Sequence, residues 1–356
     1  MTLARAGLML GVAVLLPGCI AALPVGAAAL MGGKQIAKDD TAAPVPSPKP
    51  VPPRTVPVPE TVLETQARPA PVPPPPLPGG GPMPGVKTIP VSDAVPAGMQ
   101  FLYGSGEAAA LSIQAYRGLS TYLAARAADR KAGRSLSSVV LAEGADPEAP
   151  RFAACGAKPL AVVLDIDETA ILNLGFEADD ARRGTGYDED RWNRWEQSGG
   201  NAIAAVPGAA DAIAAARAAG IAVVYNSNRA AKNATYTEVT LDMVGLGPAK
   251  HGETLWLQGD DATGSAKDGR RGAIARSYCV VALVGDQLGD FSDRFNAAGT
   301  PPAVRRLAAS APAIARLWGN GWFMLPNPVY GAALKGRADE IFPSDKSWSD
   351  PAEEKE

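Results

Sequence analysis

Two patterns of apolar residues alternate along residues 98–340. The first is the short unbroken run: Leu160-Ala161-Val162-Val163-Leu164, Ile221-Ala222-Val223-Val224-Tyr225 and Cys279-Val280-Val281-Ala282-Leu283-Val284. Runs of this length, rich in Val and Leu and without polar alternation, predict strands covered on both faces, as in a parallel sheet. Leu255-Trp256-Leu257 reads as a shorter strand of the same kind. The second pattern is helical. Leu111, Ala115, Leu119 and Leu123 recur every four residues across 106–130, with Arg117, Arg126 and Asp129 off that line, which predicts an amphipathic helix. Further helices are expected over 209–219, opened by Pro207-Gly208 and closed by Gly220, over 235–243 and over 265–276. Residues 173–201 are polar and dotted with Tyr187, Trp192 and Trp195. Strands alternating with helices imply an α/β fold, a parallel sheet with right-handed crossovers.

Composition changes the picture mainly at the N-terminus. More than half of the 33 prolines lie between Pro44 and Pro96, so residues 34–97 are expected to be a disordered, partly polyproline-II tether. Its contour is on the order of 150–180 Å at about 3.1 Å per residue. Before it, Arg5, an apolar stretch from Gly7 and Leu16-Pro17-Gly18-Cys19 read as a targeting segment over 1–33. The Leu-Pro-Gly-Cys sequence resembles a lipobox, with Cys19 as the lipidated residue. An uncleaved anchor and ordinary secretory cleavage are the alternatives. Each puts the folded part, 98–340, outside the cytoplasm, with a polar tail over 341–356. Cys155 and Cys279 then remain, either as a disulfide or as two buried thiols. A net charge of -3 provides no basic field for a nucleic acid polymer.

Chemistry collects where the predicted strands end. The first run stops at Asp165-Ile166-Asp167-Glu168-Thr169, the second leads into Asn226-Ser227-Asn228-Arg229, and the last into Gly285-Asp286-Gln287-Leu288-Gly289-Asp290. Ligands of open parallel sheets sit beyond the carboxyl ends of the strands. Two acids at i and i+2 there suggest a hard metal, a carboxylate nucleophile, or both. Taken singly, such a pair could equally cap the next loop. With Ser227, with Lys267 between the second and last motifs, and with Asp286 and Asp290, the set suffices for phosphoryl transfer through an aspartyl-phosphate.

The order Asp-x-Asp-x-Thr, Ser, Lys, Gly-Asp-x-x-x-Asp resembles the haloacid dehalogenase (HAD) superfamily. Val163-Leu164-Asp165-Ile166-Asp167-Glu168-Thr169, Val284-Gly285-Asp286-Gln287-Leu288-Gly289-Asp290-Phe291, Trp192-x-x-Trp195 and Leu325-Pro326-Asn327-Pro328-Val329-Tyr330-Gly331 narrow the resemblance. It points to the bacterial class C acid phosphatases of HAD subfamily IIIB, which include lipoprotein 5′-nucleotidases. The resemblance covers about residues 104–336 and implies a HAD-like sheet with a small helical cap, built partly from the 106–130 helix and the C-terminal segment. It further implies that Asp165 is the nucleophile and a metal ligand, and that Asp167 is general acid, then base, with its backbone carbonyl on the metal. Asp286 would be the third ligand of Mg²⁺, and Asp290 would orient a metal-bound water. Ser227 would bind a phosphoryl oxygen, and Lys267 would pair with the nucleophile and the phosphate. Asn228, Arg229 and Tyr330 are the candidate substrate contacts.

Asp167 separates the branches of the superfamily, because an acid is needed to expel an alkoxide but not a halide. A proton held on it at rest predicts an acidic optimum. His251, the only histidine, reads as a surface residue and excludes histidine-type acid phosphatases. Tyr330 is the candidate for stacking on a leaving-group ring, whereas Trp192, Trp195 and Phe176 read first as packing of the cap. The expected activity is hydrolysis of small phosphomonoesters, among them nucleoside or nicotinamide 5′-monophosphates. The expected protein is a membrane-anchored periplasmic or outer-membrane lipoprotein, with a homodimer among the possible assemblies. A non-catalytic phosphate-binding lipoprotein and a phosphotransferase to alcohols are the alternatives.

Overall fold

Strand β1 (Leu160–Leu164) is buried along its whole length. Leu160, Val162 and Leu164 enter one hydrophobic core, and Ala161 and Val163 enter a second on the other face. That is why the run carries no polar position. The computed structural model describes residues 94–184 and 186–350. The targeting segment, Cys19 and nearly all of the tether lie outside these residues.

Helices α1 (Ala97–Gly104) and α2 (Gly106–Lys131) precede β1, and β2 (Ile171–Leu172), α3 (Leu174–Arg183), α4 (Glu189–Ser198) and β3 (Ala204–Ala205) follow it. Next come α5 (Ala209–Ala218), β4 (Ala222–Ala230), α6 (Ala234–Met243), β5 (Leu255–Gln258), α7 (Asp268–Ser277) and β6 (Cys279–Gly285). The chain continues through α8 (Pro302–Ser310), α9 (Pro312–Ala315), β7 (Trp322–Met324) and α10 (Ala338–Ile341). The main sheet has the order β5-β4-β1-β6-β7 with every pair parallel, and β2 and β3 form a small antiparallel pair. Side chains of α2 and α5 join the core on one face, and those of α7 and α9 join the core on the other.

The polar segment over 173–201 folds into α3 and α4. Asp188 caps α4 by accepting the Arg191 N–H at 2.6 Å, and Gly184 ends α3 in the left-handed region.

Helix α2 departs from the expected face. Ala108, Ser112, Tyr116, Leu119 and Leu123 are buried, while Leu111 is 45% exposed. Each step of four residues overshoots a full turn by about 40°, so a row built only of such steps winds off the core. Steps of four and three keep to one face. Gly208, at φ 90, lets α5 start directly against α2, since a Cβ there would stand 3.1 Å from that of Tyr116. Because α2 packs on α5, β6 and β7, it supports the sheet rather than a cap.

Cys155 and Cys279 are joined by a disulfide that closes a separation of 124 residues. It ties the loop before β1 to the first residue of β6. Replacing both with alanine should cost about 3–5 kcal/mol, largely by freeing the unfolded chain. The denaturant midpoint of the double variant checks this, and an unchanged midpoint would contradict it.

Candidate active site

The carboxyl ends of β1, β4 and β6 meet at one edge, opposite the disulfide. Asp165 follows β1 and donates its N–H to the Val284 carbonyl at 3.0 Å, which locks its position to β6. Its side chain meets Lys267 Nζ at 2.6 Å, and the same ammonium reaches Asp290 at 2.7 Å. Lys267 immediately precedes α7, and all three residues are buried. Burial opposes the Lys267 charge, but Asp165 and Asp290 outweigh it and hold the ammonium above its ordinary value. Burial pushes Asp165 well up, against Lys267 and with the field of the neighbouring carboxylates.

Asp286 completes the group. It accepts from Thr169 Oγ1 at 2.7 Å, Asn327 Nδ2 at 2.8 Å and Gln287 Nε2 at 3.1 Å. Burial and the nearby Asp290 raise its carboxyl to about 7. Oxygens of Asp165, Asp286 and Asp290 lie within 4.8 Å of one another. Three hard oxygen donors sharing one ammonium leave an excess of two negative charges, a donor set that fits a divalent cation. Asp290, expected to act through a water, lies close to the other two, because the turn after β6 brings it back over Gly285.

Asp167 points elsewhere. Its carboxylate accepts from Arg229 Nη2 at 2.7 Å and Nε at 3.0 Å, and from Asn173 Nδ2 at 2.9 Å. Ser227 Oγ stands 3.5 Å from it and accepts the Arg229 N–H at 3.1 Å. Arg229, a candidate substrate contact, is buried and forms no part of the cavity wall, so it acts as the clamp on Asp167. Asn228 does line the cavity, although its amide is engaged by Ser265 and Arg270. Strand pairing explains why β4 overran its predicted end. The pairing with β5 holds at Asn226 opposite Trp256 and resumes at Ala230 opposite Gln258 across an irregular step, which keeps residues 227–229 in the strand.

Glu168 escaped the sequence reading. It sits at φ 55, in the left-handed region that costs a residue with a side chain of order 1 kcal/mol or more. Its buried carboxylate accepts from Tyr103 at 3.1 Å, from the Asn173 N–H at 3.0 Å and from the Tyr330 hydroxyl. Burial, reinforced by Asp167, raises it to about 8. Gly98 permits this convergence, because a Cβ there would stand 2.0 Å from the Pro328 carbonyl. Glu168 thereby ties α1 and the 326–330 loop to the turn that carries Asp165 and Asp167. Its only sequence signal was adjacency to Asp167.

Beyond these groups opens a cavity of about 630 Å³. Phe176, Trp192 and Tyr330 line it, with Trp192 edge-on to Phe176 at 4.9 Å. Trp195 does not; its indole N–H donates to Asn173 Oδ1 at 3.0 Å. His251 pairs with Asp260 at 2.7 Å, away from the cavity. Arg270 and Arg271 are buried: Arg270 holds Asn226 and Asn228, and Arg271 holds the Asp290 carbonyl.

The family model for the HAD superfamily, subfamily IIIB (acid phosphatase) matches residues 112–333. A class C acid phosphatase from Bacillus anthracis, solved with tungstate bound, is 25% identical, with a TM-score of 0.52 over 68% of this chain and 92% of that one. A second structure of the class C acid phosphatase from Bacillus anthracis is 26% identical, with a TM-score of 0.52 over 66% and 84%. With its five-stranded parallel sheet and its acids at the sheet's carboxyl edge, the chain belongs to subfamily IIIB of the HAD superfamily, the acid phosphatases, and is a phosphomonoesterase.

Proposed function

We propose that the chain hydrolyses small phosphomonoesters with Asp165 as nucleophile and Asp167 as proton carrier, assisted by Mg²⁺. The observation that carries this reading is the division between two sets of acids. Asp165, Asp286 and Asp290 converge with an unmet need for positive charge. Asp167 is set apart and oriented by Arg229 and Asn173.

Asp165, Asp286 and Asp290 would hold the cation, which would supply charge neutralisation between nucleophile and phosphate. A carboxylate oxygen of Asp165 bonds to phosphorus as the ester P–O bond breaks. Asp167 gives its proton to the departing alkoxide. Asp167 then takes a proton from water as that water attacks phosphorus, which releases phosphate and restores Asp165. Lys267 supports the charge on the phosphoryl oxygens. That the Bacillus anthracis relative was solved with tungstate bound, an oxyanion shaped like phosphate, supports a phosphate-like ligand for this chain. The faces of Phe176, Trp192 and Tyr330 would take a planar leaving group such as a nucleoside or nicotinamide riboside, each stacking contact worth about 1–3 kcal/mol. The disulfide supports an oxidising, extracytoplasmic compartment.

Phosphate release from a nucleoside 5′-monophosphate, whose alkoxide leaving group needs a proton, tests the reading from about pH 4 to 8. Turnover should be strongest on the acid side, vanish with chelator and return with Mg²⁺. Turnover unaffected by chelation would sink the metal's part in it.

A further inference from the structure

One carboxylate in the cavity wall has no part in this chemistry. Glu177, in the first turn of α3, is 5% exposed and lines the cavity beside Phe176 and Trp192. The other carboxylates of the wall are all engaged within the protein. Asp165 and Asp290 share Lys267, and Arg229 clamps Asp167. Asp286 accepts from Thr169 and Asn327, while Asp180 pairs with Arg191 at 2.7 Å. Asp293 accepts the N–H groups of Lys267 and Asp268. Among the described residues, Glu177 alone of these accepts no hydrogen bond and makes no ion pair.

Arg191 is the cation whose field reaches Glu177, but its guanidinium is bound to Asp179, Asp180 and the Phe176 carbonyl. Burial first, and then Asp180, push the Glu177 carboxyl up to about 7. Its carboxylate opens onto the cavity, so a partner for it must come from the space that the leaving group enters. Among the described residues, the cavity wall contains one cation, Lys267, which is already paired with Asp165 and Asp290. A neutral hydroxyl could satisfy a hydrogen bond to Glu177 but not the negative field of Asp180 and Asp167. A cation satisfies both, and an aromatic wall also suits it.

We infer that Glu177 is the counter-charge for a leaving group bearing a protonated amine, so that the favoured substrates are phosphate esters of amino alcohols. The inference rests on the phosphatase reading above, since it takes the cavity to be the leaving-group site.

Binding of phosphonates to the full chain at about pH 8, above the value to which burial raises Glu177 and so with its carboxylate ionised, and with Mg²⁺ present, tests it by calorimetry without requiring turnover. ω-Ammonioalkyl phosphonates of increasing chain length are compared with ω-hydroxyalkyl and plain alkyl phosphonates of the same lengths. At the best length the ammonium compound should bind about tenfold more tightly than either neutral one. In Glu177→Gln that advantage should shrink to less than about twofold. Three outcomes would overturn the inference: no ammonium preference in the unsubstituted chain at any length, a preference for the hydroxyl series, or an ammonium preference undiminished in Glu177→Gln. The comparison within the unsubstituted chain decides even where the variant folds poorly. Hydrolysis of p-nitrophenyl phosphate by the same preparation separates the two readings. Turnover without ammonium preference defeats only the role of Glu177; preference without turnover leaves Glu177 as a counter-charge for ammonium ligands but removes the claim about substrates together with the phosphatase reading.

Discussion

Asp165→Asn is expected to reduce phosphomonoester turnover by a factor on the order of 10⁴–10⁶ while leaving the fold intact. The substitution keeps the shape of the side chain, and an amide oxygen can still accept the Lys267 ammonium now 2.6 Å away. What disappears is the charged oxygen that must bond to phosphorus. Lys267 also retains Asp290 as a partner at 2.7 Å, so its buried charge is not orphaned. Thermal unfolding should therefore shift little beside the loss of rate. Turnover within tenfold of the original would remove Asp165 as nucleophile.

Asp167→Asn is expected to lower turnover about 10²–10⁴-fold and to change its time course. Nitrophenolate leaves readily without protonation, so the first step on an aryl phosphate should survive better than the second. A rapid release of one equivalent followed by slow turnover is the expected trace in a stopped-flow experiment. A uniform loss with no initial release would contradict the part of Asp167 as base. The same change takes the carboxylate from Arg229, which is buried, so a stability loss of about 3 kcal/mol should accompany it.

Much of this site could be read from the chain because parallel sheets bring strand ends together. Three apolar runs ending in Asp165, Asn226-Ser227 and Gly285-Asp286 predicted one edge, and the structure has it. What local patterns could not convey was the direction of each side chain once it arrived. Asp167 and Arg229 are 62 residues apart, and only the register of β1 beside β4 makes Arg229 a clamp rather than a substrate contact. Glu168 draws Tyr103 from α1 and Tyr330 from 162 residues away, partners that no window of sequence contains. Tyr330 thus has two roles, since its hydroxyl is held by Glu168 while its ring lines the cavity. The buried face of α2 was missed for a simpler reason. Four-residue spacing alone does not follow a helix of 3.6 residues per turn over this length. Glu177 lay in a polar segment with nothing to distinguish it from a solvated acid until α3 placed it in the wall.

In the proposed reaction, phosphate passes covalently through Asp165. Acid quenching during turnover of a phosphomonoester, followed by borohydride reduction, converts an aspartyl-phosphate to homoserine and marks the residue that carried it. Peptide mass spectrometry should find homoserine at position 165 and at no other aspartate, with the mark absent when substrate is omitted. Rapid turnover with no mark, or a mark at Asp167 or Asp286, would contradict the account.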